Sequence, residues 1–519
     1  MRIAAGCVIG VLIVSNTVVA ATSVPEPKPA EADMLVGAYY FPGWSQEDRW
    51  FCVRANDKAI HPLLGWYREG DPEVANWQIK QAVEHGVSFF AFDYYSFRGS
   101  EMLENAIEAF MRADYADRFR FCINWCNHSA AETQDAEELD RFADVVVDKY
   151  LTHPSYLRIG DRPVLMILSG YSFVMTLGVE RARAAFDRLE QRCKGAGLPG
   201  LYLVFCEGEI RSEQAVKDSF AAGADAFCLY NYPYAGTDFT GPGRGGEATY
   251  EHMTAQGEAL WKHWKGITGG RFWPTVMPGW DRRPWTKDQD LVRTGSTPDL
   301  FERSLRLARD HVNADRVVMM EAWNEWGEGS VLEPSVEWGC AYLDKVRDVF
   351  CPDAGPHEDV DPRSLGVPLP VFACELPAEH EWRFNFGVEG WTKANASELG
   401  STWGALTTVS ENGDPQLTSP LTYLRCEDYG RLRVRMRLTP KAGEAPGTAT
   451  GQLFWSTTER GLCEELSVHF AVEVDGGWHE YAIDLSASPA WAGLTDRLRF
   501  DPVDVAGVTV EIDLIELVP

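Results

Sequence analysis

Two glutamates lie three positions apart in a short, glycine-containing segment of the chain. Glu325 and Glu328 are flanked by Trp323 and Trp326, and Gly327 lies between them. In a turn, this spacing lets both carboxyl groups face one cavity. Two carboxyls crowded beside apolar rings resist ionising together, so one of them keeps its proton near neutral pH. A proton donor paired with a carboxylate is what acid–base cleavage of a glycosidic bond requires.

Further aromatic and polar residues lie where short apolar runs end, or directly after them. Aromatic rings stack on the apolar faces of sugar rings, while Asn, Asp, Glu and Tyr side chains can bond sugar hydroxyls. Any one aromatic could instead cap the protein core, but the whole set favours a sugar-binding cleft. The candidate substrate-binding residues are Tyr39, Tyr40, Trp44, Asp93, Tyr94, Asn124, Trp125, Glu207, Asn231, Tyr232, Trp280, Asp281, Trp323, Asn324, Trp326 and Glu333.

The elements that must position these residues follow a regular alternation. Eight apolar or β-branched runs are separated by longer amphipathic segments, which predicts a (β/α)8 TIM barrel over residues 34–351. An open, doubly wound sheet is the alternative. In a barrel, catalytic side chains lie at the carboxyl ends of the strands. The runs are Met34–Phe41, Val87–Tyr94, Phe119–Trp125, Pro163–Leu168, Leu201–Cys206, Ala226–Tyr230, Phe272–Met277 and Val317–Trp323.

The pattern changes after the barrel region. Residues 352–370 are rich in Pro, Asp and Gly and predict a linker, so we expect a chain that ends near Pro356 to fold and stay active. Short alternating segments then predict an all-β jelly-roll-type sandwich over 371–519. This region resembles the carbohydrate-binding-like sandwiches of exported glycosidases. Its tryptophans could form core or a binding platform; they are Trp391, Trp455, Trp478 and Trp491.

The amino terminus is typical of an export signal. Residues 1–20 combine Arg2, an apolar stretch and small residues before a cleavage site near Ala20, which predicts a signal peptide. Residues 21–33 then form a short linker. The apolar stretch is short for a membrane span, although an uncleaved anchor is the alternative. We therefore expect a secreted or periplasmic protein without stable membrane insertion after cleavage.

Charge and cysteine usage exclude several classes of function. The formal net charge of −29 disfavours nucleic acid as a partner. The 12 cysteines are scattered, and Cys122, Cys206 and Cys228 lie in apolar runs, which is typical of buried free thiols. Because Cys and His residues form no ligand-like cluster in the sequence, we predict no metal and no cofactor.

One segment resembles a known family. The stretch from Trp323 to Pro334 is similar to the signature of the glycoside hydrolase family 99-like proteins, also described as WbsX-type glycosyltransferases. Tyr39–Trp44, Phe92–Tyr95 and Pro278–Asp281 match the same group. The resemblance covers Met34 to Val349 and implies an enzyme that acts on a poly- or oligosaccharide.

The resemblance also implies roles for the two glutamates. Family 99 proper contains endo-α-mannosidases that retain anomeric configuration through a 1,2-anhydro sugar. Glu325 would then deprotonate the sugar 2-hydroxyl, and Glu328 would act as general acid and afterwards as base. The mannosidases have a histidine where this chain has Gly327, so the resemblance does not imply that this chain shares their mannose specificity. The Arg282–Arg283 pair also departs from the group; it could bind an anionic glycan or be solvated.

Two other functions fit the same sequence. A WbsX-type glycosyltransferase would need an activated sugar donor, and no phosphate-binding loop is evident. A glycan-binding protein without activity would use the glutamates only to accept hydroxyl protons. Consumption of glycan distinguishes a hydrolase from a binding protein, and dependence on a nucleotide sugar identifies a transferase.

Overall fold

The computed structural model describes residues 23–128, 134–208, 211–238 and 245–519. Residues 1–20, for which we predict a signal peptide, lie outside the described residues. Within the described part, no helix is both long and apolar enough to cross a membrane. The 11 cysteines described here are all free thiols, and Cys122, Cys206 and Cys228 are buried as predicted.

The first part of the chain forms a parallel barrel. The first strand, Leu35–Tyr40, pairs in parallel both with the second strand and with the last. The seventh strand of the barrel is interrupted at Pro274. Phe272–Trp273 pairs with the sixth strand, and Thr275–Val276 pairs with the last strand. The strands are β1 Leu35–Tyr40, β2 Phe89–Phe97, β3 Arg120–Cys126, β4 Arg162–Leu168, β5 Tyr202–Glu207, β6 Ala226–Leu229, β7 Phe272–Trp273, β8 Thr275–Val276 and β9 Val317–Met320.

Helices surround this barrel. Several begin where an Asp or Thr side chain accepts the N–H of the first turn; Asp71, Asp135 and Thr297 do so. Burial of the strands on both faces explains their continuous apolar runs. The helices are α1 Glu47–Arg54, α2 Pro72–Glu84, α3 Asn105–Arg112, α4 Ala136–Val146, α5 Gly170–Leu177, α6 Val179–Gly195, α7 Glu213–Ala222, α8 Tyr250–Ile267, α9 Arg283–Thr286, α10 Pro298–His311 and α11 Ala341–Phe350. The predicted (β/α)8 barrel is confirmed.

The carboxyl-terminal part is a sandwich of two antiparallel sheets, which confirms the second half of the predicted fold. Alternating side chains of both sheets form its core. One sheet contains Glu381–Trp382, Gly400–Thr402, Ala405–Val409, Arg431–Thr439, Trp478–Asp484 and Thr509–Val518. The other contains Thr392–Ala394, Gln416–Thr418, Leu424–Arg425, Gly447–Thr457, Ser467–Val474 and Leu494–Asp501.

The tryptophans of the sandwich divide between core and surface. Trp391, Trp455 and Trp491 are buried in its core. Trp478 is partly exposed, and Arg435 lies 5.0 Å from its ring centroid. A different tryptophan, Trp403, is 101% exposed. It projects from the turn between the edge strand Gly400–Thr402 and its neighbour Ala405–Val409.

The segments on either side of the barrel pack against it. Val371, just after the predicted linker, pairs with Tyr67, and Cys374 is buried in a cluster with Trp50. Val24, in the predicted amino-terminal linker, belongs to the same cluster. The predicted domain boundaries remain predictions, but these contacts make both segments part of the packed surface of the barrel.

Candidate active site

A small hairpin after β9 carries both glutamates. Asn324–Glu325 pairs with Ser330–Val331, and the turn between them holds Glu328. Gly329 has a positive φ of 61°, and a Cβ there would lie 2.8 Å from Cβ of Asp281. Only glycine meets both conditions without strain. The hairpin therefore holds the two carboxyl groups over the carboxyl end of the barrel.

Four carboxyl groups are buried together at this end of the barrel. Asp93, Glu321, Glu325 and Glu328 are 2%, 0%, 4% and 8% exposed. Asn124 donates to Oδ1 of Asp93 at 2.8 Å. One oxygen each of Glu321, Glu325 and Glu328 is buried without a hydrogen-bond partner among the described residues. These oxygens can form hydrogen bonds with hydroxyl groups of a bound molecule.

Burial and mutual repulsion make the cluster hold protons. Burial raises the pKa of Asp93 to about 7. It also raises the pKa of Glu328 to about 7, although the nearby Arg282 opposes the rise. Burial, followed by repulsion from Glu328, raises the pKa values of both Glu321 and Glu325 well above the ordinary range. At neutral pH the cluster therefore contains both protonated and ionised carboxyls.

Tyr230 connects two of these carboxyls. Its hydroxyl lies 2.7 Å from Oδ2 of Asp93 and 3.1 Å from Oε1 of Glu325. A hydroxyl has one proton, so it can donate to only one of them. If the Tyr230 hydroxyl donates its proton to Asp93, which is at the shorter distance, a hydrogen bond between Tyr230 and Glu325 requires Glu325 to be the donor. This geometry favours a protonated Glu325 in the resting site.

Among the described residues, Arg282 is the cation that contacts the carboxyl cluster. Its Nε lies 3.2 Å from Oε1 of Glu328, and its Nη1 lies 2.9 Å from Oδ2 of Asp290. Its neighbour Arg283 donates from Nε to Asp281 at 2.8 Å. Both arginines are thus paired with carboxylates of the protein. The alternative of two solvated loop arginines is wrong, because both guanidinium groups are partly buried in these pairs.

Several predicted substrate-binding residues lie on the outer side of the strands. The Tyr94 hydroxyl donates to Glu101, and Trp125 stacks on Phe142 of α4. Tyr40 likewise donates to Gln78 of α2. Successive side chains of a strand point to opposite faces, so a residue next to an inward-facing one meets the helices. The structure does not bring these three side chains to the carboxyl cluster.

Two further predicted residues also lie away from the cluster. The Tyr232 ring packs edge-on against Trp261 of α8. Glu207 accepts the backbone N–H of Tyr171 at the start of α5 and a bond from Arg211 at 3.0 Å. These contacts connect the strands to the helix layer.

Another group of predicted residues supports the hairpin. The Asn324 side chain forms two hydrogen bonds with the backbone of Phe41, and Trp44 donates to the carbonyl of Asn324. Glu333 accepts bonds from Gln78 and Tyr67 at 2.9 Å each.

The remaining predicted aromatics also pack around the hairpin and barrel. Trp326 lies 3.3 Å from the Tyr67 hydroxyl, and Trp323 packs on Phe90. Tyr39 is buried inside the barrel, and its ring lies 4.8 Å from Tyr230. These side chains pack against the hairpin and the barrel strands and so support the position of the carboxyl cluster.

The other predicted residues surround the rim of the barrel. Trp280 and Asp281 line a cavity of about 310 Å³ beside the hairpin, together with Trp326 and Gly329. Asn231 is partly exposed next to Tyr230. This cavity adjoins the hairpin, but neither Glu325 nor Glu328 lines it.

Sequence reasoning left Tyr95, Glu321 and Tyr230, which the structure brings to the cluster, out of its candidates, and it considered Arg282 only as an anion-binding or solvated residue. Tyr95 lies near Asp93 and Glu325; burial, followed by repulsion from Cys126, Asp93 and Glu325, raises the pKa of its hydroxyl. Strand alternation could have selected Tyr95 instead of Tyr94, because it shares a face with Asp93. Glu321 was included in the apolar run of the last strand. Tyr230 had no local signal beyond its position at the end of a strand.

One group of possible metal ligands lies outside the site. Atoms of His85, Cys340 and Asp359 lie within 4.8 Å of one another. Nδ1 of His85 lies 2.7 Å from the carbonyl of Gln81, and Nε2 lies 3.1 Å from Asp359. Although burial opposes it, bonding to Asp344 and Asp359 raises the pKa of His85 to about 9. The described contacts are those of an imidazolium ion pair between α2 and the segment after the barrel.

The fold and the site together define a class: a (β/α)8 barrel with a buried carboxyl cluster at the carboxyl ends of its strands. Residues 57–346 match the family described as Glycosyltransferase WbsX. This is more than half of the chain, and the chain belongs to that family. The resemblance to a WbsX-type family is therefore confirmed.

Individual relatives are distant. The uncharacterized protein WxcX of Xanthomonas campestris pv. campestris is 27% identical over 311 residues, covering 55% of this chain and 42% of WxcX. The chain thus spans about two fifths of that relative's length.

Two solved structures are similar to part of this chain. A glycoside hydrolase-like protein is 19% identical over 64% of this chain and 97% of its own, with a TM-score of 0.49. The GH99 endo-alpha-mannosidase from Bacteroides thetaiotaomicron is 16% identical over 60% of this chain and 95% of its own, with a TM-score of 0.44.

Proposed function

We propose that the protein is a glycoside hydrolase that cleaves a poly- or oligosaccharide, with Glu325 and Glu328 as its acid–base pair. The supporting observation is the cluster of four buried carboxyls with one cation in contact among the described residues. Such a cluster keeps a proton at neutral pH that can be transferred to a departing glycosidic oxygen. Its unpaired buried oxygens have no hydrogen-bond donor among the described residues.

The resemblance to family 99 supplies the detailed roles. Glu325 removes the proton of the sugar 2-hydroxyl, O2 attacks C1, and Glu328 protonates the leaving oxygen. Water then opens the anhydro sugar with Glu328 as base, so configuration is retained. A proton on Glu325 would complete the hydrogen bonds of Tyr230 in the resting site, while Glu328 pairs with Arg282. The mechanism therefore requires a proton to move from Glu325 to Glu328 when substrate binds.

The mechanism restricts the substrate. Attack by O2 from the back of C1 needs the 2-oxygen and the leaving group trans to each other. We therefore propose 1,2-trans glycosides such as α-manno or α-L-rhamno units as substrates. Cleavage of an α-glucoside or of a 2-deoxy glycoside at a comparable rate would contradict the anhydro mechanism.

A transferase is the second candidate, because the description of the matching family names glycosyltransferases. It would use the same carboxyls to deprotonate an acceptor hydroxyl and would need an activated sugar donor. Export, which we also propose for this chain, would separate the protein from cytoplasmic nucleotide sugars. Amino-terminal sequencing of extracellular or periplasmic material should begin near Ala21; recovery of an intact Met1 would contradict export.

The deciding experiment is a screen of the purified chain against a polysaccharide panel. New reducing ends and shorter products without any added donor would support the hydrolase. The matched control is the Glu325→Gln/Glu328→Gln double variant, which should release nothing. Product formation only after addition of a nucleotide sugar would establish the transferase instead, and binding without turnover would leave a glycan-binding protein.

A further inference from the structure

The loop formed by residues 282–290 contacts the carboxyl-terminal sandwich. Nζ of Lys287 lies 2.8 Å from Oδ1 of Asp496, and both side chains are mostly buried. Ser456 donates to the same Asp496 oxygen at 2.5 Å. The N–H of Gly461 donates to Asp288 at 3.3 Å. Two positions of the sandwich, Asp496 and Gly461, thus contact this loop, and Ser456 fixes the Asp496 carboxylate.

The backbone of the loop is strained at this contact. Lys287 has a φ of 58°, a conformation that residues other than glycine rarely adopt. A strained conformation persists only where the surroundings hold it. The ion pair with Asp496 supplies such a restraint from the sandwich.

The same loop reaches the carboxyl pair. Arg282 at its start pairs with Glu328. The ring of Trp285 lies against Gly327, where an added Cβ would overlap it. Trp285 therefore occupies the space that a side chain at position 327 would need. Its ring also lies 5.6 Å from that of Phe41, so two partly exposed aromatics border the site.

A groove begins at these two rings and runs between the barrel and the sandwich. Its volume is about 840 Å³, within the range of about 300–1,000 Å³ that is common for ligand sites. The barrel contributes Phe41 and Trp285, and the sandwich contributes Tyr423, Leu462 and Arg497. Its charged residues nearly cancel in a chain of net charge −29; they are Asp48, Arg49, Lys287, Asp496 and Arg497.

We propose that a glycan bound at Glu325 and Glu328 continues into this groove, so that the sandwich supplies part of the substrate site. The proposal rests on the proposed function. Aromatic rings followed by polar side chains of nearly balanced charge suit a chain of uncharged sugars, which stacks its apolar faces and bonds through its hydroxyls. The sandwich then lines one side of the groove and supports loop 282–290, in addition to any separate glycan-binding surface it carries.

The test uses two sandwich residues that line the groove. Leu462 is 37% exposed and Arg497 is partly exposed, so Leu462→Ala and Arg497→Ala should fold. The substrates are α-manno- and α-L-rhamno-oligosaccharides of two, four and six sugars. We expect the ratio of kcat/KM for six sugars to that for two sugars to fall about tenfold in the double variant, a change equal to about 1.4 kcal/mol. The control is Trp403→Ala, which removes an exposed sandwich aromatic outside the groove lining.

Binding measurements separate this proposal from the proposed function. If no oligosaccharide is cleaved, the hydrolase proposal fails, and calorimetric affinities of the full chain for the same length series test the groove. Weaker binding of six sugars by the Leu462/Arg497 variant alone supports the groove. Loss in Trp403→Ala instead, an unchanged length dependence, or no binding of either series overturns it.

Discussion

At the residue scale, Tyr230 joins two carboxyls that are 232 positions apart in the sequence, Asp93 and Glu325. Because its hydroxyl carries one proton, the three groups can all be bonded only if a carboxyl contributes a second proton. Glu328 is in a different environment, since Arg282 compensates its charge. Two carboxyls three positions apart thus lie in different environments, and the resting contacts favour the proton on Glu325.

The two glutamates should respond differently to loss of charge. Glu328→Gln removes the proton donor, and we expect a loss of about 10²–10⁴-fold on poor leaving groups. A glycoside of an acidic phenol needs little protonation and should be partly spared. Glu325→Gln removes the base and should be inactive on every substrate. Steady-state rates on both substrate types check this; exchanged behaviour would reverse the two roles.

The pH profile should report the contact of Arg282 with Glu328. Burial raises the pKa of Glu328 to about 7, and Arg282 holds it below a still higher value. In Arg282→Gln the pKa should rise. A general acid works in its protonated form, so the basic limb of kcat/KM against pH should move to higher pH.

Arg283→Gln is the matched control for that profile. Arg283 pairs with Asp281 and makes no described contact with Glu328, so the limb should stay in place. A downward shift in Arg282→Gln, or equal shifts in both variants, would contradict the assignment of the acid.

At the element scale, the hairpin after β9 and the loop 282–290 form one unit. Gly329 fits against Asp281, directly before the loop, and Gly327 fits against Trp285 within it. Strand alternation also acts at this scale. Asp93 and Tyr95 face the site while Tyr94 faces α4, because neighbouring side chains of one strand point in opposite directions.

Substitution at Gly327 tests this packing. Gly327→Ala should lower the stability by about 1–3 kcal/mol, because the new Cβ overlaps the Trp285 ring. Adding Trp285→Ala removes the overlap, so the double variant should lose less than the sum of the two single changes. Gly355→Ala, where nothing lies within 4 Å, is the control. Chemical denaturation checks this; strictly additive losses would show that the two residues do not compete for space.

At the scale of the whole molecule, barrel and sandwich share surfaces. Residues after the predicted linker cover aromatic residues of the barrel. The backbone N–H of Phe372 donates to the carbonyl of Trp66, and Cys374 is buried beside Trp50. The sandwich also holds loop 282–290 through Lys287. A carboxyl-terminal domain without such contacts could be removed with little effect on the barrel.

Truncation tests how far the two parts are separable. From the sequence we expect a chain that ends near Pro356 to fold and stay active, whereas the contacts of Phe372 and Cys374 predict that it is less stable than one ending at Pro377. The longer form should fold but lose activity on long glycans, since loop 282–290 lacks its support. Melting temperatures and kcat/KM of both forms check this; equal stability and full activity of the shorter form would support independent domains.

The sequence by itself determined the barrel, the sandwich and the glutamate pair. Each depends on local patterns: runs of apolar residues, alternation, and two carboxyls in one turn. Only the tertiary structure decided which other groups join Glu325 and Glu328. Asp93, Tyr230 and Arg282 come from separate strand ends and loops that meet because parallel strands close into a barrel. Local patterns do not carry that information, because proton affinities and side-chain neighbours depend on burial among residues distant in the sequence.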